Sequence, residues 1–201
     1  MKVIEKYYMV FLNGTFGTLW LAFVTVVAGT LLGTCIAFIK LSKRKLPNFI
    51  VTAYVEVIRG TPILLQLWFF WLVLPKFTKA FGWEPGNTAC ILIALIVNSS
   101  AYVAEIIRAG IQAVDKGQTE AARSLGIGES NIMKKIIMPQ AVKNILPALC
   151  NEFIMMVKET SLASVFFVNE LMTAQKTVQS VSYRVIESLT IVGIIYFIIT
   201  F

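Results

Sequence analysis

The strongest constraint on this chain is a run of apolar residues long enough to cross a lipid bilayer. Residues 16–39 contain no charged side chain, and about 20 predominantly apolar residues span the hydrocarbon core. The whole chain agrees, because 57% of its residues are hydrophobic and 14% are charged, against roughly 25% charged in soluble domains. The run is too long for a secretory signal peptide, and no small-residue cleavage pattern follows it. The sequence therefore predicts an all-α integral membrane protein.

Polar segments divide the chain into about five predicted transmembrane helices. Lys and Arg cluster in residues 40–47 and 115–143, and cytoplasmic segments carry an excess of these residues. Both segments are therefore predicted to be cytoplasmic, which places the N-terminus outside. The last span is still apolar at Phe201, so we expect it to be truncated. The predicted spans are residues 13–39, 47–74, 88–114, 144–160 and 185–201.

The net charge of +7 does not indicate nucleic-acid binding, because the charges follow the loops as the positive-inside rule requires. Cys35, Cys90 and Cys150 all lie in apolar stretches without metal-ligand spacing, and the chain has no histidine. We interpret the three cysteines as small core residues. No cofactor or metal is expected in this chain.

Glycine and proline mark two places where helices are expected to approach closely or break. Gly29 and Gly33 form a G-x-x-x-G step, which permits close helix approach, although membrane helices also simply tolerate glycine. The break at residues 60–62 predicts Thr61 as an N-cap and Pro62 as the first helical residue. Free N–H groups there would attract a carboxylate. A simple kink is the alternative.

Two carboxylates lie inside otherwise apolar predicted spans, Glu105 and Glu152. Ionisable groups are expensive in hydrocarbon and usually face a protein interior or an aqueous cavity. Helical spacing places each glutamate on a partly polar stripe, which would suit a cationic ligand group. The stripes are Asn98, Tyr102, Glu105 and Gln112 on the third span, and Asn144, Ala148, Glu152, Met155 and Glu159 on the fourth.

Ion pairing within the protein is the alternative role for these carboxylates. Glu105 and Arg108 are three residues apart on one helix, as are Glu56 and Arg59, and such pairs can satisfy each other. For Glu56 and Arg59 pairing is the favoured interpretation. Lys158 could serve a glutamate from a neighbouring helix.

The polar segment at residues 115–143 predicts a helix that begins near Gln118, a turn at Gly126 and a second helical run. Its residues Glu120, Ala121, Ala122, Gly126 and Pro139 have the spacing of the EAA loop that ABC-importer permeases carry. Met138 stands where that family usually has leucine. The resemblance implies that these five residues dock on an ATP-hydrolysing subunit.

Three further segments resemble the permeases of polar amino acid ABC importers: residues 54–62 (YVEVIRGTP), 98–111 (NSSAYVAEIIRAGI) and 145–153 (ILPALCNEF). Together with the EAA loop, the likeness covers residues 45–165. It implies an ABC type I importer permease fold, formed by the whole chain as one transmembrane domain in the bacterial cytoplasmic membrane. It also implies ligand contact by Glu105 and Glu152, and the polar stripes add Asn98, Tyr102 and Met155 as candidate ligand residues.

The resemblance also implies partners. A second permease subunit, identical or homologous, would complete the path, two ATP-binding subunits would dock from the cytoplasm, and an extracytoplasmic protein would deliver an L-amino acid. This chain has no Walker A phosphate loop, so ATP and Mg²⁺ belong on the separate ATPase.

Two other classes of function fit the residues less well. A membrane enzyme without histidine would need a pair such as Ser161 and Lys158, three apart on a helix. A channel or ion-coupled secondary transporter could use the same buried carboxylates, but it would have no use for the EAA loop.

Overall fold

The computed structural model describes residues 2–42 and 44–201, and this part of the chain is helical without any strand. The predicted cytoplasmic position of Lys43 lies outside the described residues. Short 3₁₀ turns at Lys79–Phe81 and Thr160–Phe166 join some of the helices. The α-helices are α1 Lys2–Leu41, α2 Lys45–Gly60, α3 Ile63–Thr78, α4 Asn87–Gln112, α5 Lys116–Ser124, α6 Glu129–Asn131, α7 Met138–Glu159, α8 Leu171–Ser182 and α9 Val185–Thr200.

Three helical segments among the described residues are long and apolar enough to cross a membrane: Val3–Leu41, Ile63–Phe81 and Asn87–Gln112. They match the first span, the second half of the second span and the third span predicted from the sequence. The fifth predicted span corresponds to the shorter apolar helix α9. The fourth corresponds to α7, which carries charge along its length. A total of five spans stays a prediction.

The predicted second span is two helices rather than one. Helix α2 ends at Gly60, and α3 begins at Ile63. Between them Pro62 is the N-cap residue in an extended conformation (φ −61°, ψ 134°). Thr61 is therefore not the cap, and Pro62 is not the first helical residue, as the sequence had predicted. A proline in this conformation turns the chain out of the helix direction and cannot donate a backbone hydrogen bond.

The described residues form two compact units. The first unit contains residues 2–27, 61–98 and 153–201. In this unit α1 passes close to the segment before α8, because a side chain at Gly14 or Gly17 would strike the backbone of residues 169–171. The buried side chains of its core include Phe11, Leu21, Leu67, Leu95, Phe166, Leu171 and Val192.

The second unit contains residues 28–60 and 99–152, and it confirms the predicted close approach at the G-x-x-x-G step. A Cβ at Gly29 would lie 2.9 Å from Ser99 Oγ, and a Cβ at Gly33 would lie 2.8 Å from the Ser100 carbonyl oxygen. Glycine is therefore required by packing and not merely tolerated. The core of this unit includes Ala37, Val55, Val103, Ile107, Ile132 and Ile145.

The cysteine interpretation holds for one residue of the three. Cys90 is buried, whereas Cys35 and Cys150 are exposed on this chain. The apolar surroundings of Cys35 and Cys150 in the sequence do not separate a core position from a surface position, because a membrane helix is apolar on its outer face as well.

Gly33→Ala should destabilise the protein. The added methyl group meets a backbone carbonyl that cannot move independently, and overpacking typically costs about 1–3 kcal/mol. A suitable control is Gly193→Ala in α9, where an added Cβ meets no atom of the chain within 4 Å. The measurement is the apparent melting temperature of each purified variant in detergent. Equal melting temperatures would contradict the close-packing argument.

Candidate functional site

The predicted coupling segment begins with a capped helix. Asp115 caps α5, and its carboxylate accepts a hydrogen bond of 2.6 Å from the backbone N–H of Gly117. This cap starts the helix at Lys116 rather than near Gln118, which is the boundary that the sequence predicted. Because Asp at an N-cap satisfies an otherwise unpaired backbone donor, the helix start is fixed locally.

Gly126 ends the same helix in the way the sequence predicted. Its φ of +75° lies in the left-handed region, which L side chains adopt at a cost. The Gly126 N–H donates to the Arg123 carbonyl at 2.9 Å, and the Ile127 N–H donates to the Ala122 carbonyl at 3.0 Å. These two bonds form a Schellman motif. The turn that follows α5 is therefore set by backbone geometry.

Packing and one ion pair hold the segment that follows. Arg123 Nε donates to Glu129 Oε1 at 2.6 Å, and Arg123 Nη2 donates to Glu129 Oε2 at 3.2 Å. Ala122 is buried in the core of its unit together with Ile132, which begins a π-helical turn over Ile132–Ile137. Pro139 is the second residue of α7, which directly follows this π-helical turn.

The outer face of this segment is exposed on this chain. Glu120, Ala121 and Gly126 are exposed, and Leu125 has 79% of its surface exposed. This apolar side chain among charged residues is accessible to a partner protein.

Glu105 lies among three cations of its own unit. Its carboxylate is in direct contact with Lys40, accepts a bond of 2.7 Å from Arg108 Nη2, and lies 3.9 Å from Arg59 Nη1. Only 14% of the Glu105 side chain is exposed. The i,i+3 pair with Arg108 that the sequence allowed is present. The geometry favours the ion-pair role for this residue.

The favoured pairing of Glu56 with Arg59 is wrong. Arg59 is directed instead towards Glu105 and stacks over the Tyr102 ring, 5.5 Å from its centroid. An exposed i,i+3 pair gains little in water, so the partly buried carboxylate of Glu105 and the aromatic face of Tyr102 compete successfully for the guanidinium. Tyr102 and Glu105, both predicted ligand contacts, thus share Arg59.

Glu152 has a different environment. It is buried, with 7% of its surface exposed, and its Oε1 accepts a hydrogen bond of 2.9 Å from Ser99 Oγ. The next residue, Ser100, is hydrogen-bonded to the hydroxyl of Tyr54 at 2.7 Å. Glu152 therefore faces α4 in its unit, and a neutral hydroxyl is one of its partners.

The remaining two predicted ligand residues belong to the other unit. Asn98 is buried and donates to Gln66 Oε1 at 2.9 Å. Gln66 in turn donates to Thr61 Oγ1 at 2.9 Å, so this polar chain ties α4 to the break before α3. Met155 is 49% exposed on α7. A ligand role for all five residues stays a prediction.

The structure contains a positively charged cavity that was not predicted from the sequence. Lys158 and Lys176 line it together with Ser161 and Tyr196, and its volume is about 430 Å³. Lys176 Nζ donates to Ser164 Oγ at 3.1 Å. The positive charge within apolar sequence was a usable signal for Lys158, but its proximity to Lys176 depends on the tertiary fold.

This geometry gives no support to the enzyme alternative. In the part of the chain that the structure describes, Ser161 and Lys158 line the same cavity but form no hydrogen bond with each other. No group of three or more Cys, Asp or Glu side chains among those residues could hold a metal ion.

Comparison with known proteins identifies the family. The sequence profile of the binding-protein-dependent transport system inner membrane component matches residues 26–201. The chain belongs to this family. An arginine transport system permease from Bacillus subtilis (strain 168) is 38% identical over 188 residues, which cover 94% of this chain and 84% of the relative. A nopaline transport system permease from Agrobacterium fabrum (strain C58) is 35% identical over 190 residues, which cover 92% and 79%.

Solved structures agree with the sequence relatives. A crystal structure of an amino acid ABC transporter with histidines superposes with a TM-score of 0.91 at 47% identity, covering 98% of this chain and 90% of that one. An inward-facing methionine ABC transporter shares the fold, with a TM-score of 0.75 at 20% identity. The predicted all-α fold and the resemblance to ABC-importer permeases are confirmed, and the channel or secondary-transporter alternative is not favoured.

Glu105→Gln should lower the stability of this family member. The change leaves Lys40, Arg59 and Arg108 without their shared acid. Because the cluster is partly buried, the cost lies between the roughly 1 kcal/mol of a surface pair and the roughly 3 kcal/mol of a buried one. The control is Glu187→Gln, because its pair with Arg184 is about half exposed and surface pairs contribute about 0–1 kcal/mol. Apparent melting temperature and purified yield are the measurements. Equal effects of both variants would show that the cluster contributes no more than a surface pair.

Proposed function

We propose that the chain is the transmembrane subunit of an ATP-driven importer for a polar L-amino acid. The observation that carries the proposal is the rigid element of residues 115–139, which is capped at both ends of α5 and presents an exposed apolar tip. Its sequence has the EAA spacing, and the chain belongs to a family of transport components. Relatives named for arginine and nopaline transport, and the structure of an amino acid transporter with histidines, support the substrate class.

The remaining parts of the importer are proposed to be separate proteins. A second permease subunit completes the path, and two ATP-binding subunits bind ATP and Mg²⁺, because this sequence has no phosphate-binding loop. An extracytoplasmic binding protein delivers the amino acid. Uptake of a labelled amino acid into vesicles that contain the whole complex, with ATP inside, tests the assignment. ATP-independent uptake would overturn it in favour of the secondary-transporter alternative.

The orientation follows from the charge distribution. Residues 40–47 and 115–143 are cytoplasmic in the proposal, and the N-terminus is outside. The outer side then carries the turn around Gly82 and Gly86.

Single cysteines placed in a cysteine-free parent test this orientation. A cysteine at Gly86 should react with a membrane-impermeant maleimide added to intact spheroplasts. A cysteine at Ser130 should react only after the membrane is opened, because Ser130 lies in the coupling segment. Both positions are exposed, so burial of the thiol would not explain a failure to react. The reverse labelling pattern would invert the proposed topology.

The coupling mechanism uses the rigidity of the loop. When two ATPase subunits close on ATP, a docked α5 moves with them, in the helix-in-groove manner. The Schellman turn and the Arg123–Glu129 pair hold α5 in place relative to the segment that follows it. The displacement then passes to α4 and α7, the helices on either side of the loop in sequence, as alternating access requires.

Gly126→Asp and Gly126→Ala together separate docking from local strain. Both substitutions force an L side chain into the left-handed region, at roughly 1–2 kcal/mol, and no atom of this chain lies within 4 Å of the added Cβ. Only Asp adds a charge to the proposed docking face. We expect Asp to abolish co-purification with the ATPase and substrate-stimulated ATP hydrolysis, while Ala retains most of both. Normal coupling in the Asp variant would refute the docking role.

Glu152 is proposed to compensate a positively charged group of the ligand. It is buried and lies on the polar face of α7, so an ionised carboxylate there would be shielded from bulk water. Such charges are weakly screened, so a matching ammonium gains more there than at the surface.

Glu152→Gln keeps the shape of the side chain and removes its charge. We expect uptake to fall at least tenfold, because losing one partner of a buried charge pair costs about 2–5 kcal/mol. Assembly with the ATPase and basal ATP hydrolysis should persist. Ser99→Ala is the control, since it removes the hydroxyl that donates to Glu152 without changing the charge. Undiminished uptake per assembled complex of the Glu152→Gln variant would rule out the ligand role, and a loss of assembly instead would assign Glu152 to structure.

A further inference from the structure

The turn between α1 and α2 carries a polar groove that the proposed transport cycle does not use. The groove has a volume of about 360 Å³. It directly follows the membrane-length helix Val3–Leu41, so it lies where a membrane helix ends. Ser42, Arg44, Lys45, Asn48, Phe49 and Thr52 line it.

The groove is positively charged. Arg44 and Lys45 are exposed and, in the part of the chain that the structure describes, neither takes part in an ion pair. The lining contains no acidic residue. The neighbouring Lys40 is different, because it is paired with Glu105. The two cations that line the groove thus remain available to an external anion.

Internal hydrogen bonds hold the groove in shape. Asn48 Nδ2 donates to the Lys40 carbonyl at 2.6 Å, and Asn48 Oδ1 accepts from Thr52 Oγ1 at 3.1 Å. The Arg44 backbone N–H donates to Ser42 Oγ at 3.3 Å. A preformed turn of this kind presents its cations without an ordering cost at the backbone.

An apolar face adjoins the charge. Leu46, Phe49 and Ile50 are 71%, 72% and 58% exposed, and their spacing places them on one side of α2. Phe49 belongs to both features, because it also lines the groove. Basic residues next to bulky apolar residues on an amphipathic helix are typical of contact with an anionic membrane surface.

We propose that this groove binds the phosphate group of an anionic phospholipid, with the acyl chains along Leu46, Phe49 and Ile50. Arg44 and Lys45 supply charge-assisted hydrogen bonds to the phosphate oxygens. A soluble phosphate compound would use the two cations and leave the three apolar side chains uncovered, so the lipid accounts for more of the surface. The proposal rests on the membrane location of the family and is independent of which solute is transported.

Lipid binding to the complete, delipidated importer tests the proposal. Phosphatidylglycerol or phosphatidylcholine is titrated into the detergent-solubilised complex, and bound lipid is counted by native mass spectrometry. We expect a preference for phosphatidylglycerol that falls about tenfold in the double variant Arg44→Gln/Lys45→Gln, as when a charged hydrogen bond is lost. The double variant Lys76→Gln/Lys79→Gln changes the charge equally at the end of α3 and should keep the preference.

Four results would overturn the proposal. An equal loss of the phosphatidylglycerol preference in both double variants would mean that the lipid responds to the net charge of the protein and not to the groove. Competition by glycerol phosphate at concentrations matching the lipid, or unchanged lipid binding by Phe49→Ala, would make the groove a soluble-phosphate site. Loss of the ATPase from the Arg44→Gln/Lys45→Gln complex would assign the surface to a protein partner. Amino-acid-stimulated ATP hydrolysis by the wild-type complex is measured in parallel, so that a failure of the transport proposal is seen separately.

Discussion

Close contact between helix backbones is the constraint on which the rest of this protein depends. In a bilayer the hydrophobic effect does not drive helices together, because lipid tails are as apolar as leucine, so packing must do so. Gly29 and Gly33 bring α1 within contact of residues 99–103 in one unit, and Gly14 and Gly17 bring it against the segment before α8 in the other. Polar side chains can then meet partners at short range.

The charges inside the second unit depend on that approach. Lys40 of α1, Arg59 of α2 and Arg108 of α4 all reach Glu105. Each of these groups alone would be expensive in an apolar environment, and only the shared contact makes the cluster tolerable. The cluster therefore joins the C-terminal ends of α1 and α2 to α4, the helix that precedes the proposed coupling loop in sequence.

Local rules predicted much of this fold, and tertiary contacts account for what they missed. Apolar length predicted α1 and α4, and glycine predicted both the close approach at Gly33 and the turn at Gly126. The sequence misplaced the cap at Thr61 and the start of α5, because both boundaries depend on the conformation of a single residue. It also paired Arg59 with Glu56, since periodicity along one helix contains no information about a carboxylate on another helix.

The same limit applies to the candidate ligand site. Helical spacing predicted that Glu105 and Glu152 face inward, and it treated them as equivalent. Their surroundings are not equivalent: a ligand ammonium at Glu105 would have to compete with three cations fixed on three helices, whereas Glu152 accepts a hydrogen bond from the neutral hydroxyl of Ser99. Displacing one of these cations would leave it without its carboxylate, a cost that a ligand at Glu105 would have to offset. The three ion pairs therefore favour a role for Glu105 in holding the helices together, and the ligand role of Glu152 stays a proposal.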